Sequence, residues 1–210
     1  MASISSLDSS LSSSRVSSLS RQGFDAQPVE QPKEPQRLAL FSKDTFQASS
    51  SRQAGLDAIN DVKLKSGIAH RCVETTRANL VRAGMGDGLP SGTDADPNNP
   101  RGMMVQMLQS GKWDSMNIPG SESQTITSPY GSVKANVLSG AAYQEAIKNG
   151  QVPEGSVVFQ TRHADGFDYS GGSRGSDVGI VRNGKIFNYA QMPKMTVYGN
   201  TDSVVVVAPH

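Results

Sequence analysis

This chain has one cysteine, few aromatic residues and no long apolar run, and each shortage removes a class of protein. The single thiol, Cys72, excludes an intramolecular disulfide and any multi-cysteine metal site. The longest purely apolar run, Val204 to Ala208, is far too short to cross a bilayer, which predicts a soluble chain with no membrane span. Aromatics are 6% of the residues, and 20 basic side chains against 19 acidic ones leave a net charge of +1. So balanced a chain offers neither a phosphate-tracking patch nor a stacking platform, and no nucleic-acid partner is expected. Gly171-Gly172 and Gly175 form no phosphate loop, since no Lys-Ser/Thr pair follows and the segment leads into a strand. His70, His163 and His210 are too far apart for a helix-borne zinc pair, so neither a metal nor a cofactor is expected.

What is present is unevenly distributed. Eleven serines lie between Ser3 and Ser20, Pro28, Pro32 and Pro35 follow, and Ser49 to Ser51 closes the region. Such a segment buries too little apolar surface to offset its ordering entropy, so residues 1–50 are expected to be a disordered tail. No basic start leads into an apolar stretch of about 7–15 residues, so the tail does not read as a secretory signal peptide. It resembles the serine-rich N-termini of bacterial type III secreted effectors. That resemblance implies secretion into a host cell and a secretion chaperone as partner of the tail.

Residues 51–210 are expected to form one domain. Apolar residues three or four apart predict helices over Gln53 to Lys63, Cys72 to Ala83, Gly102 to Gln109 and Ala141 to Asn149. Runs rich in β-branched and aromatic residues predict strands over Ser156 to Thr161, Val178 to Arg182, Lys185 to Tyr189 and Ser203 to Val207. Asn183-Gly184 is a hairpin signal, because both residues tolerate the positive φ of a type I′ turn. Helices first and an antiparallel meander afterwards predict an α+β fold with the helices on one face of the sheet. Trp113, Met103, Met104 and Met107 read as core.

Cys72 opens a segment of helical spacing that ends at Gly84, where a helix stop belongs. A thiol in the first helical turn feels the positive end of the dipole and unpaired N–H groups, which favour thiolate. The plainer reading is a small buried hydrophobe. His163 follows the first predicted strand and Asp177 precedes the second; in an antiparallel hairpin the two would face each other across the ladder. An imidazole oriented by Asp177 could then take the Cys72 proton, as nucleophilic catalysis requires. The loop from Ala164 to Ser176 carries Phe167 and Tyr169 as anchors of a flap. Arg174 reads as a surface residue, His70 as pointing elsewhere and His210 as a tail residue.

Cys72 to Gly84, Val152-Pro153-Glu154-Gly155-Ser156-Val157-Val158-Phe159, and Val178-Gly179-Ile180-Val181 with Asn183-Gly184-Lys185 resemble motifs of the CHAP and NlpC-type papain-like amidases. The resemblance spans roughly Ile68 to Ala190, with a long unmatched middle. It implies a papain-like α+β fold, N-terminal helices on a C-terminal antiparallel sheet, with Cys72 as nucleophile and its backbone N–H as an oxyanion donor. Those families place their histidine where this chain has Asp177. Direct carry-over therefore gives Cys72, Asp177 and Asn188, in which a carboxylate of pKa near ~4 is a poor base for a thiol near ~8.5. The site expected here is instead Cys72 as nucleophile, His163 as base and Asp177 as its orienter. The function expected is amide hydrolysis on a host protein, by a protease or glutamine deamidase. The alternatives are an inactive papain-like scaffold that binds a protein, or a peptidoglycan amidase.

Overall fold

The valine run near the end of the sequence lies in the middle of the sheet, and the remaining elements are arranged to cover it. The computed structural model of the protein describes residues 50–67, 71–90, 99–162, 166–167, 175–188 and 203–210, all within one unit, Phe46–His210. The tail expected over residues 1–50 lies outside the described residues, except for Ser50. In chain order the elements are α1 (Ser50–Asp61), α2 (Cys72–Arg82), α3 (Pro100–Gln109), β1 (Trp113–Ser115), β2 (Glu122–Ser128), β3 (Gly131–Ser139), α4 (Gly140–Lys148), β4 (Val157–Thr161), β5 (Ser176–Arg182), β6 (Lys185–Phe187) and β7 (Ser203–Pro209). The fold is α+β, with one antiparallel sheet in the order β2-β3-β7-β4-β5-β6 and β1 also paired to β7. None of the described helices is long and apolar enough to cross a membrane.

Two expectations about the sheet are corrected. The strands do not run as a meander, because β7 inserts between β3 and β4, pairing Leu138 with Val204 on one side and Val158 with Val206 on the other. Nor do the helices cover a single face. Val205 and Val207 join Val157, Phe159, Val178 and Ile180 in a core with Leu80 of α2 and Met103, Met104 and Met107 of α3. Val204, Val206 and Ala208 join Val158, Val181 and Ile186 in a second core with Tyr143 and Ala146 of α4. Helix α1 serves both, with Ile59 in the first and Leu56 in the second. The cause is visible in the residues: Val204 to Ala208 is apolar at every position rather than alternating, the pattern of a strand covered on both sides. Full burial of each valine contributes about 1.5–3 kcal/mol.

Local signals explain the element ends. Helix α3 begins two residues before the expected start because Asn99 accepts a bond from the Gly102 N–H (3.2 Å) and Pro100 occupies the first turn. Gly84, at φ +75°, ends α2, and the Met85 N–H bonds the Leu80 carbonyl (2.9 Å). Asn183 and Gly184 have φ of 53° and 64°, as the hairpin turn between β5 and β6 requires. Both carboxylate oxygens of Glu154 accept the N–H groups of that turn, at 2.7 and 2.8 Å.

Within the hairpin, Gly179 lies against β6. A Cβ there would stand 2.6 Å from the Phe187 carbonyl oxygen and against the Ile186 side chain. Gly179→Ala should lower unfolding stability by about 1–3 kcal/mol through overpacking, read from the urea midpoint; an unshifted midpoint would contradict this close packing.

Candidate functional site

The candidate site forms where the first turn of α2 meets the start of β5. Two contacts fix the helix there. The Thr76 hydroxyl donates to the Val178 carbonyl (3.4 Å), tying α2 to β5. Asn79, buried in the middle of α2, bonds both the N–H and the carbonyl of Lys65 (2.8 and 2.9 Å), so its amide acts like a backbone partner and holds the preceding segment along the helix. Gly67 continues that contact, since a Cβ there would overlap the Thr75 side chain.

Cys72 is the first residue of α2, free and 8% exposed. The backbone N–H groups of Val73 and Val178 approach its sulfur and favour thiolate, although the Val178 N–H is chiefly engaged by Asp177 (2.8 Å). They are outweighed. Burial, then the charge of Asp177, then a hydrogen bond between the thiol and the Asp177 carboxylate push the thiol from its ordinary 9 up to about 12. Such a group is held as the neutral thiol at pH 7.

Asp177 is itself buried, and its two oxygens are separately engaged. One accepts the Val178 N–H (2.8 Å) and the other accepts the Asn188 side-chain amide (2.6 Å), with Asn188 buried just beyond β6. The three side chains thus form a buried polar chain in which amide and thiol both donate to one carboxylate. Three backbone or side-chain donors around a carboxylate offset its desolvation, and each one removed returns part of that cost.

The structure brings Cys72 and Asp177 together and adds Asn188, the third residue of the direct carry-over. His163 lies outside the described residues, as do His70, Tyr169 and Arg174. Strands β4 and β5 do pair as an antiparallel hairpin, but the register sets Gln160, not His163, opposite Asp177, with Thr161 opposite Ser176 and the Arg162 N–H bonded to the Gly175 carbonyl. The expected cross-strand neighbour of Asp177 is corrected accordingly: the ladder runs further toward the loop than the apolar part of the sequence indicated, because Ser176 and Asp177 are polar strand residues.

Other expectations resolve individually. Trp113 and the three methionines are fully buried, and the Trp113 indole donates to the Asp87 carbonyl (3.1 Å). Phe167 is buried in the core, its carbonyl accepting from the buried Arg101 of α3 (3.1 Å), and most of the expected flap lies outside the described residues. His210 is no loose tail residue: its Nδ1 lies 2.8 Å from Asp114 and its backbone N–H bonds the Lys112 carbonyl. Arg101, Asn79 and Gln160 were not foreseen, and a single buried polar residue inside an apolar element carries no periodic signal. Among the described residues no group of three histidine, cysteine or acidic side chains could hold a metal ion. No protein-family model matches the chain, and no curated protein or solved structure matches it.

Two outcomes follow from this geometry. An unfolded thiol releases its proton near pH 9 and the folded one near 12, so rising pH favours the unfolded chain. The contribution is complete below about pH 9 and falls by up to about 1.4 kcal/mol per pH unit above it; the stability difference between the native chain and Cys72→Ser, measured by urea unfolding from pH 7 to 11, should show that slope, and a flat difference would refute the raised thiol. Asn188→Ala should cost about 1–3 kcal/mol by removing a donor from a buried carboxylate, and calorimetry showing no loss would mean that the amide is not needed there.

Proposed function

We propose that the chain is a protein-binding module on a papain-like α+β scaffold whose nucleophile position is chemically silent. One observation carries this reading: the group hydrogen-bonded to the Cys72 thiol is the Asp177 carboxylate, backed by Asn188. A carboxylate is a far weaker base than the thiolate of a thiol pushed up to about 12, so it is a poor proton acceptor for this one. Burial, with the charge of Asp177 and the bond that satisfies its carboxylate, keeps the sulfur protonated, and a thiol is a weak nucleophile. Proton transfer to a leaving amine has no donor in this trio other than the thiol itself. In the same proposal the serine-rich residues 1–50 deliver the module by type III secretion, with a chaperone on the tail and a host protein as the bound partner.

A second reading, cysteine-dependent hydrolysis of a host amide with His163 as base and Asp177 as orienter, is favoured by the sulfur's own position. The Val73 and Val178 N–H groups approach it at a helix N-terminus, where they would support a thiolate. Protease, deamidase and peptidoglycan amidase chemistry would share that site.

Alkylation separates the two. Iodoacetamide at pH 7 should modify Cys72 at least 100-fold more slowly than free cysteine, with no change on His163→Ala. Asp177→His, which restores a base, should accelerate the reaction at least tenfold. Rapid alkylation of the native chain that His163→Ala abolishes would replace the binding-module reading with the hydrolase.

A further inference from the structure

We infer that the outer face of α2 is a docking surface for an acidic peptide segment of a protein partner. The inference deepens the binding-module reading, on which it rests, by assigning a surface and a partner class. Its first support is the local charge. The chain as a whole balances 20 cations against 19 carboxylates, yet from Lys63 to Arg82 it has five cations, Lys63, Lys65, Arg71, Arg77 and Arg82, and one carboxylate, Glu74.

The second support is shape. A groove of about 250 Å³ is lined by Lys65, Gly67, Arg71, Glu74, Ala78 and Arg82, among others. The lone carboxylate is already engaged, with Arg71 2.9 Å from Glu74, so the lining presents unbalanced positive charge. Its walls are held in place: Asn79 clamps the backbone of Lys65, Gly67 lies directly on Thr75, and Arg82 donates to Asn79 (3.3 Å). A surface ordered before binding loses less entropy when a ligand arrives.

The third support is the apolar component. Ala78 lines the groove, and three residues on, outside that lining, Val81 is the exposed large hydrophobic among the described residues, at 50%, so the apolar surface of α2 extends past the groove. Arginines around an apolar centre suit a peptide with carboxylates on either side of an aliphatic residue. Helix α2, of 11 residues, is about 16 Å long, the span of roughly five extended residues. A nucleic acid fits this surface less well, since no aromatic side chain lines the groove to stack a base.

Fluorescence anisotropy on the full chain tests the inference with three labelled probes: a ten-residue Glu/Asp peptide with a central leucine, its Lys/Arg counterpart, and a single-stranded oligonucleotide. The acidic peptide should bind at least tenfold more tightly than either other probe. It should lose at least tenfold in affinity with Lys65→Glu and Arg82→Glu together, and lose at least threefold between 0.05 and 0.3 M salt. Far-UV circular dichroism checks that the double variant is folded, and Lys65→Gln with Arg82→Gln, expected to lose at least threefold, replaces it otherwise. Equal affinity for the basic peptide, tighter binding of the oligonucleotide, or binding indifferent to both variants would overturn the assignment. Rapid, His163-dependent alkylation of Cys72 would end the binding-module reading without altering these titrations, so the two failures are told apart.

Discussion

Strand β7 has no face that tolerates water. Five consecutive apolar residues, Val204 to Ala208, are fully buried, and the rest of the domain is arranged around that constraint. One face requires α2 and α3, the other requires α4, and α1 contributes to each core. Both edges of the strand are paired as well, by β4 on one side and by β1 and β3 on the other, so its backbone groups are satisfied where its side chains are dry. With β4 fixed on β7, β5 is fixed on β4, and the start of β5 arrives under the first turn of α2. The placement of Asp177 against Cys72 is a consequence of how the valine strand is buried.

At that meeting point stability and reactivity oppose each other. A carboxylate enclosed by protein must be surrounded by donors, and Asp177 has the Val178 N–H, the Asn188 amide and the Cys72 thiol. The thiol proton that completes this set is the one a nucleophile would have to give up. The backbone donors at the helix terminus pull the sulfur toward thiolate, but burial and the adjacent negative charge pull harder in the other direction. A helix N-terminus therefore does not by itself make a cysteine reactive; what the sulfur faces decides the outcome.

Much of the architecture is legible in the residues. Gly84 marks the end of α2, Asn183-Gly184 the β5–β6 turn, and the spacing of Met103, Met104 and Met107 the buried side of α3. The β2–β3 hairpin is not foreseen because β2, Glu-Ser-Gln-Thr-Ile-Thr-Ser, is exposed at most positions and has no apolar alternation to read. Strand β3 does carry a signal, Val133, Ala135 and Val137 at period two, with Pro129-Tyr130-Gly131 at the turn before it. The two-faced burial of β7 is written in its unbroken apolar run, which reads equally well as a membrane-exclusion argument and so conceals its topological meaning. The site divides similarly. Cys72, Asp177 and Asn188 are nameable from the sequence, whereas the choice of Gln160 opposite Asp177 depends on a register that polar strand ends do not specify.

The central claim is that burial, reinforced by the Asp177 carboxylate beside it, holds the Cys72 sulfur protonated. Because the chain has one cysteine, selective ¹³Cβ labelling of cysteine gives a single resonance, and its shift against pH reads the thiol directly. The account predicts a resonance that stays at the thiol position from pH 6 to at least pH 10, and that moves to a lower midpoint in Asp177→Asn. A native midpoint below about pH 8 would contradict it.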